Sequence, residues 1–294
     1  MRRAFLVALS SAVTSVLLIP PVFGQRVGVA TRDSGGVTIV ENVEPAWSEA
    51  ERWRFGPEPV LDIGELEGDP EYELHRVVGA VRLPDGRIVI ANSGTYQLRF
   101  FESDGAYIRN CGRRGGGPGE FEGLWGVSRF RTDSLATFDW RQNRISVFDD
   151  EGSFVRAITL RSADALAEAI GSFSDGSFLS RTRSSAMDRE TGSLRRDWIL
   201  HRLDAEGRIV DTLGSFRGDE VFVNPMAGDL IIAATRFFAR SSEFAVLGDQ
   251  FYVADTENFE VRVYDTVGEL RSIICKKHDN LEVTRSDIDH LRSQ

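Results

Sequence analysis

The segment Phe100-Phe101-Glu102-Ser103-Asp104-Gly105 joins a short apolar run to an acidic turn that ends in glycine. The same pattern returns at residues 147–152, 203–207 and 263–268, and the closing glycines stand 47, 55 and 61 residues apart. An apolar run that meets an acidic turn and a glycine is typical of a strand entering a tight hairpin. Because one such unit cannot bury its own apolar faces, the repeat predicts neighbouring units packed together.

The first two units each contain four apolar runs separated by turn residues. The predicted strands are residues 78–83, 87–91, 97–101 and 106–111, followed by 126–130, 134–138, 144–148 and 153–160. Turn chemistry and strand pattern agree at each junction, as at Pro84-Asp85-Gly86. We therefore predict an all-β fold, a β-propeller whose blades are four-stranded sheets.

The third and fourth units follow the same plan with longer connections. Their predicted strands are residues 172–179, 198–203 and 208–213, followed by 244–247, 250–254, 260–264 and 269–274. Residues 163–169 are predicted to form or approach the innermost strand of the third unit. The polar segment 183–196 is predicted to be a projecting loop, and the apolar residues 230–234 to be an extra strand.

The N-terminus has the pattern of an export signal. Arg2 and Arg3 precede an apolar stretch at residues 5–19, and the small residue Gly24 follows. We predict that residues 1–24 are a signal peptide, cleaved from a protein that is exported to the periplasm or secreted.

The remaining chain divides into a propeller domain and a short tail. The predicted divisions are a β-propeller domain at residues 25–275 and a C-terminal helical tail at residues 276–294. Two N-terminal strands are expected at residues 37–43 and 59–63. The tail is expected to contain a helix with Thr284 or Ser286 as its N-cap.

Charge and cysteine placement limit the possible functions. The formal net charge is −10 at pH 7, and an acidic surface repels nucleic acid phosphates and anionic lipid head groups. We expect no nucleic acid partner and no membrane insertion. Cys111 and Cys275 end equivalent strands of different units, so no disulfide between them is expected.

The segment that joins the first two units resembles a known repeat. Gly117-Pro118-Gly119-Glu120-Phe121, with residues 254–265 of the last unit and a weaker copy at residues 138–149, is similar to the NHL-repeat group of six-bladed β-propellers. The resemblance implies blades of the six-bladed type and extends to exported bacterial propellers. Four clear four-stranded blades plus N-terminal strands are fewer than six, so we expect either that an irregular segment completes a smaller ring or that the ring is incomplete, as in a C-terminally truncated relative of a six-bladed propeller.

An exposed aromatic and arginine group is the candidate binding site. Trp140 and Arg141 follow a predicted strand, and Arg113 and Arg114 lie in the adjoining connection. Such side chains are common anchors of binding surfaces, although Trp140 could instead pack between blades beside solvated arginines. We expect an exported binding module for a protein, peptide or carbohydrate, without a cofactor.

The alternative is a metal-dependent hydrolase. Six-bladed gluconolactonases hold a divalent cation in the central channel and hydrolyse lactones or esters, which makes Asn92, Asp139 and Asp255 candidate ligands for Ca²⁺ or another divalent cation. The simpler interpretation is that these side chains hold turns through hydrogen bonds to the backbone. The sequence contains no GxSxG motif and no histidine pair at metal-ligand spacing.

Overall fold

The computed structural model describes residues 28–44, 48–131, 133–160, 167–183, 191–225, 231–277 and 282–293. Within these residues, the strands form four sheets and one short helix follows them. In chain order, the elements are β1 (Val29–Ser34), β2 (Val37–Asn42), β3 (Val77–Arg82), β4 (Ile88–Asn92), β5 (Gln97–Phe101), β6 (Tyr107–Cys111), β7 (Leu124–Phe130), β8 (Ser134–Asp139), β9 (Arg144–Asp149), β10 (Phe154–Thr159), β11 (Glu168–Ser172), β12 (Phe178–Arg183), β13 (Gly192–Leu203), β14 (Ile209–Pro225), β15 (Ile231–Thr235), β16 (Ser242–Leu247), β17 (Gln250–Asp255), β18 (Glu260–Asp265), β19 (Leu270–Lys276) and α1 (Arg285–Arg292).

The four sheets are successive propeller blades. The first blade is β3 to β6, the second β7 to β10, the third β11 to β15, and the fourth β16 to β19 with β1 and β2 added. Within each blade, consecutive strands pair antiparallel, and the first strands of neighbouring blades lie side by side. The all-β propeller fold and the four-stranded plan of the blades are therefore confirmed.

The third blade departs from the predicted pattern. Residues 192–196 belong to the long strand β13, which pairs with β14 as far as Val223. The predicted loop at residues 183–196 is therefore wrong for residues 192–196. Residues 184–190 lie outside the described residues, as do residues 161–166 of the predicted approach to β11. The extra strand is confirmed as β15, which pairs with the end of β14.

The N-terminal hairpin extends the fourth blade outward. β1 pairs antiparallel with β2, and β2 pairs in parallel with β19. The predicted strand at residues 37–43 is confirmed, whereas β1 was not predicted. The side-chain amide of Asn42 also donates to the carbonyl of Cys275 at 3.3 Å.

The predicted strand at residues 59–63 is wrong. These residues form no ladder, and Val60 is fully exposed. The chain that follows lies instead against the first blade, where the guanidinium of the buried Arg99 donates to the carbonyls of Pro70, Glu71 and Glu73 at 2.9–3.0 Å. Tyr72 Oη also accepts from the amide of Tyr107 at 2.9 Å, so side-chain hydrogen bonds rather than a strand ladder hold this segment against the blade.

Apolar clusters fill the spaces between successive blades. Phe121, from the connection between the first and second blades, is fully buried with its ring centroid 5.9 Å from that of Phe148. Phe130 and Phe178 stack at 5.2 Å between the second and third blades, and Phe251 lies in the cluster between the third and fourth. Each fully buried phenylalanine contributes about 1.5–3 kcal/mol to folding, so these contacts fix neighbouring blades.

The structure describes the predicted C-terminal helix and both cysteines. α1 begins after the N-cap Thr284, whose hydroxyl accepts from the amide of Asp287 in a capping box. Both cysteines are free, and burial raises the pKa of the Cys111 thiol to about 12, which keeps that thiol protonated at neutral pH. Residues 1–24 lie outside the described residues. Within the described part of the chain, no helix is long and apolar enough to span a membrane.

Candidate functional site

The loops between the second and third strands of the blades lie at equivalent positions. Asn92, Asp139 and Asp255 end the second strands and pair with the first residues of the innermost strands. Four residues then turn the chain toward the third strand: residues 93–96, 140–143 and 256–259. The first residue of each loop donates its amide to the carbonyl immediately before the innermost strand. The three loops therefore share one frame but carry different side chains.

Asp139 fixes the loop of the second blade from inside. It is buried, and its Oδ2 accepts from the amides of Glu122 and Gly123 at 2.7 and 3.0 Å. Its Oδ1 accepts from the amides of Arg141 and Gln142, both at 3.0 Å. One carboxylate thus ties the loop to the connection that enters the innermost strand.

The side chains of Trp140 and Arg141 lie on the outside of this loop. Trp140 is 43% exposed, and the guanidinium carbon of Arg141 lies 5.0 Å from the centroid of its indole. Both side chains cover Gly123, where an added Cβ would stand 2.7 Å from Trp140 Nε1 and 2.9 Å from Arg141 Cγ. The backbone of Gly123 therefore supports the stacked pair, and a side chain there would displace it.

A pocket of about 160 Å³ separates this pair from the first blade. Its lining combines the loops of both blades with the residues before their innermost strands, namely His75, Arg76, Ser93, Gly94, Tyr96, Glu122, Gly123, Trp140 and Arg141. The guanidinium carbon of Arg114 lies 5.7 Å from the centroid of the Tyr96 ring. We refer to Tyr96, Arg114, Trp140 and Arg141 as the loop-face patch.

The loop-face patch is a local concentration of positive charge on an acidic chain. Arg76, Arg114 and Arg141 are exposed and form no ion pair with another described residue, and Glu122 is the carboxylate among the lining residues. Cations stacked on aromatic rings keep their outer hydrogen-bond donors available. The patch can therefore donate to an anionic group while its rings contact an apolar one.

Arg113 has a different role from its neighbour. Its Nε and Nη2 lie 2.7 and 2.5 Å from Glu120 Oε1, and Glu120 Oε2 accepts from the amide of Gly117 at 2.8 Å. Arg144 donates to the carbonyls of Gly117 and Glu120 at 3.2 and 2.6 Å. These contacts hold the glycine-rich connection in shape, so Arg113 belongs to the frame of the site rather than to the loop-face patch.

The equivalent loop of the fourth blade is engaged with the third blade. Arg195, on β13, has a side chain only 7% exposed and lies 2.8 Å from Asp255 Oδ1 and 3.1 Å from Glu257 Oε2. Asp255 Oδ1 also accepts from the amide of Glu257 at 2.8 Å. This loop therefore locks two blades together.

The candidate metal ligands are each engaged in their own blade. Asn92 Oδ1 accepts from the amide of His75 at 2.7 Å, Asp139 accepts from four amides, and Asp255 faces Arg195. Among the described residues, no group of three or more histidine, cysteine or acidic side chains is placed to hold a metal ion. These three side chains do not fit a divalent cation, because their carboxylate and amide oxygens already accept hydrogen bonds from backbone amides or a guanidinium group. Their geometry is that of turn-holding residues.

Sequence reasoning did not identify Tyr96 and His75 as parts of the site. Tyr96 takes the fourth position of its loop, where Asn143 stands in the second blade, and both have positive φ values (60° and 48°). His75 lies next to Gly94, where an added Cβ would stand 2.2 Å from His75 Cδ2. Because Trp140 takes the first position of its loop and Tyr96 the fourth, aligning the two loops does not bring them together, and their proximity depends on how the first blade packs beside the second.

Comparison with known proteins supports the fold. Residues 65–127 match the family model DUF5128, described as a 6-bladed beta-propeller. These residues span the first blade and its connection into the second, about a fifth of the chain. No curated protein matches the sequence.

Solved structures with a related architecture are distant. A member of the DUF4221 family from Bacteroides vulgatus is 12% identical with a TM-score of 0.44, over 73% of this chain and 61% of that protein. A chain of the nidogen–laminin complex is 10% identical with a TM-score of 0.39, over 69% and 86% of the two chains. Virginiamycin B lyase from Staphylococcus aureus is 12% identical with a TM-score of 0.35, over 66% and 68%. The fold is a β-propeller of the six-bladed type, and the described residues form four blades.

Proposed function

We propose that the chain is a binding module that recognises an acidic peptide segment of a partner protein at the loop-face patch. The observation that carries the proposal is the half-exposed Trp140 with Arg141 stacked on it, beside a pocket, on a loop that Asp139 holds rigid. A preorganised aromatic and arginine pair loses little conformational freedom on binding, which favours affinity.

The charge distribution favours an acidic ligand. The chain as a whole carries a net charge of −10, whereas Arg76 and Arg141 line the pocket and Arg114 lies over the ring of its lining residue Tyr96. A carboxylate can approach these guanidinium groups, and the rest of the surface repels it. The ligand is therefore oriented toward one face of the propeller.

The ring faces favour an apolar residue next to the carboxylate. Tyr96 and Trp140 line a pocket of about 160 Å³, which is large enough for one apolar side chain such as Leu or Phe but not for a folded domain. The expected ligand is a short segment that presents one apolar side chain beside Asp or Glu. Export of the protein, as its N-terminal sequence predicts, would place this interaction outside the cytoplasm.

A defined peptide set tests the proposal. Synthetic octapeptides with one central Leu or Phe flanked by Asp and Glu would be compared with matched peptides carrying Lys and Arg, by fluorescence anisotropy at low salt. We expect the acidic set to bind, and the Trp140→Ala/Arg141→Ala double variant to bind at least about tenfold more weakly.

A matched control distinguishes the patch from any exposed tryptophan. Trp53 is 98% exposed and precedes Arg54, so the Trp53→Ala/Arg54→Ala double variant removes the same residue types outside the blades. Its affinity should equal that of the wild type. Equal binding of acidic and basic peptides, or an equal loss in both double variants, would contradict the proposal.

A further inference from the structure

A second cavity, of about 260 Å³, opens on the innermost strands of the second and third blades. It shares no lining residue with the pocket beside the loop-face patch, and it extends to β16 of the fourth blade. The residues that matter for its chemistry are Trp125, Gly126, Glu168, Arg181, Glu243 and Phe244.

The floor of the cavity is apolar. Phe138, Ile145 and Phe178 line it and belong to the buried cluster between the second and third blades. The hydroxyl of Thr137, which also lines the floor, donates to the carbonyl of Ser146 at 3.2 Å. A ligand that enters the floor therefore meets side chains that stabilise it by burial of apolar surface.

The charged side chains of the cavity carry a net charge of −1. Arg181 Nε and Nη2 each lie 2.9 Å from Glu168 Oε2, and its guanidinium carbon lies 4.1 Å from the ring centroid of Trp198. Arg181 is thus neutralised and stacked. Glu243 forms no ion pair with another described residue, so its carboxylate is the uncompensated charge.

Aromatic rings border the same region. Trp125 is 59% exposed, whereas the Phe244 ring is already covered by the guanidinium of Arg181, 5.7 Å from its centroid. A cation that enters the opening can therefore gain from the charge of Glu243 and from the exposed ring of Trp125. Gly126 stands at the opening, and a Cβ added there would meet no atom within 4 Å, so the space in front of this residue is empty.

We propose that this cavity binds a small amphipathic monocation, a primary ammonium group attached to an apolar body. The apolar body occupies the floor, and the ammonium group lies near Glu243 and the free oxygen of Glu168. A cavity of about 150 Å³ is sufficient for benzene, so 260 Å³ accommodates an aromatic ring with a short alkylamine arm. The site shares the second blade with the peptide site but none of its lining residues, and it does not depend on peptide binding.

Phenethylamine is a suitable probe, with 2-phenylethanol and 3-phenylpropionate as neutral and anionic controls of similar shape. Binding to the full chain would be measured by isothermal titration calorimetry and saturation-transfer NMR at pH 7 and low salt. We expect the amine to bind at least about tenfold more tightly than either control, since one charge-assisted contact corresponds to roughly 1.4 kcal/mol or more.

Two variants locate the site. Gly126→Val places a branched side chain in the opening at a strand position where a β-branched residue is compatible with the backbone, and it should weaken binding of the amine at least about fivefold. Glu243→Gln removes the charge and should weaken the amine at least about fivefold while leaving 2-phenylethanol unchanged. Glu102→Gln, in an exposed hairpin turn, is the charge-matched control and should bind as the wild type.

The outcomes decide the proposal. The proposal is supported if the amine binds tightly and both variants weaken its binding. If thermal unfolding shows that Gly126→Val does not fold, the result for Glu243→Gln decides alone. No binding of the amine, equal binding of amine and alcohol, or wild-type affinity in Glu243→Gln would overturn it. The Trp140→Ala/Arg141→Ala variant should retain the amine site, which separates this result from failure of the peptide proposal.

Discussion

The loop after Asp139 in the second blade and the loop after Asp255 in the fourth occupy the same place in the blade but have different roles. In the second blade, the carboxylate accepts only backbone amides, and the next two residues, Trp140 and Arg141, extend outward. In the fourth blade, the carboxylate accepts from Arg195 of the third blade. One turn frame therefore serves either to present side chains or to join blades.

The difference arises from the two residues after the aspartate. Trp140 and Arg141 correspond to Thr256 and Glu257, and Glu257 adds a second acceptor for the guanidinium of Arg195. A buried guanidinium needs such acceptors, because an unpaired charge in the interior is costly. The residues that the frame carries, rather than the frame itself, decide whether a loop is free to bind a ligand.

The largest expected effect concerns the buried aspartate. Asp139→Ala leaves four amide groups without an acceptor and should lower the free energy of unfolding by about 3–5 kcal/mol. Asp255→Ala removes a more exposed carboxylate and should cost about 1–2 kcal/mol. Urea denaturation of both variants measures the difference. Equal losses would mean that the two loops are not held differently.

The blade plan was predictable because its signals are local. Strand alternation, the acidic hairpin turns and the phenylalanine after the glycine-rich connection each occur within a few residues, and Phe121 indeed lies between blades. The pairing of β2 with β19 was not predictable, since it joins residues such as Asn42 and Cys275 that are far apart in the sequence. Nothing in either segment specifies the other.

The candidate site was predictable only in part. Trp140 and Arg141 are adjacent in sequence, so their stacking follows from one loop. The contribution of Tyr96 depends on how the first blade packs beside the second, and the separate role of Arg113 depends on the folded glycine-rich connection. The false strand at residues 59–63 has strand-like residues but no partner strand in the fold.

A second prediction concerns the contact between the third and fourth blades. Arg195→Met keeps the length of the side chain but leaves Asp255 without its cation and Glu257 with Arg240 alone, 3.5 Å away, and it should cost about 1–3 kcal/mol. Arg113→Met, at a guanidinium whose side chain is 79% exposed, should cost less than about 1 kcal/mol. Calorimetric unfolding of the two variants makes the comparison. A cost at Arg195 as small as that at Arg113 would show that the fourth-blade loop does not lock the blades.

A third prediction uses pH to test the glycine-rich connection. The amide of Gly117 and then the guanidinium of Arg113 lower the pKa of Glu120 below its ordinary value of 4.5. The ionised carboxylate therefore adds stability above pH 4.5, and this contribution is lost as the pH falls through the lower pKa of the folded state. The melting temperature of Glu120→Gln should lie below that of the wild type at pH 7, and the gap should narrow in acid. A gap that is independent of pH would contradict this role.

The smallest expected effect is that of calcium. Asp139 and Asp255 already accept hydrogen bonds from backbone amides or a guanidinium group. Millimolar calcium or EDTA should therefore leave the melting temperature unchanged. Differential scanning fluorimetry of the metal-stripped chain measures this. A clear rise with calcium, reversed by EDTA, would revive the metal-dependent hydrolase alternative.

Exchange of the second-blade residues for their fourth-blade counterparts tests the central claim most directly. The measurement is calorimetric titration of an acidic octapeptide into the Trp140→Thr/Arg141→Glu variant, beside thermal unfolding of the same sample. We predict that peptide affinity falls at least about tenfold while the cooperative unfolding transition remains, because Asp139 still holds the loop. Wild-type affinity in this folded variant would contradict the assignment of peptide binding to the loop-face patch.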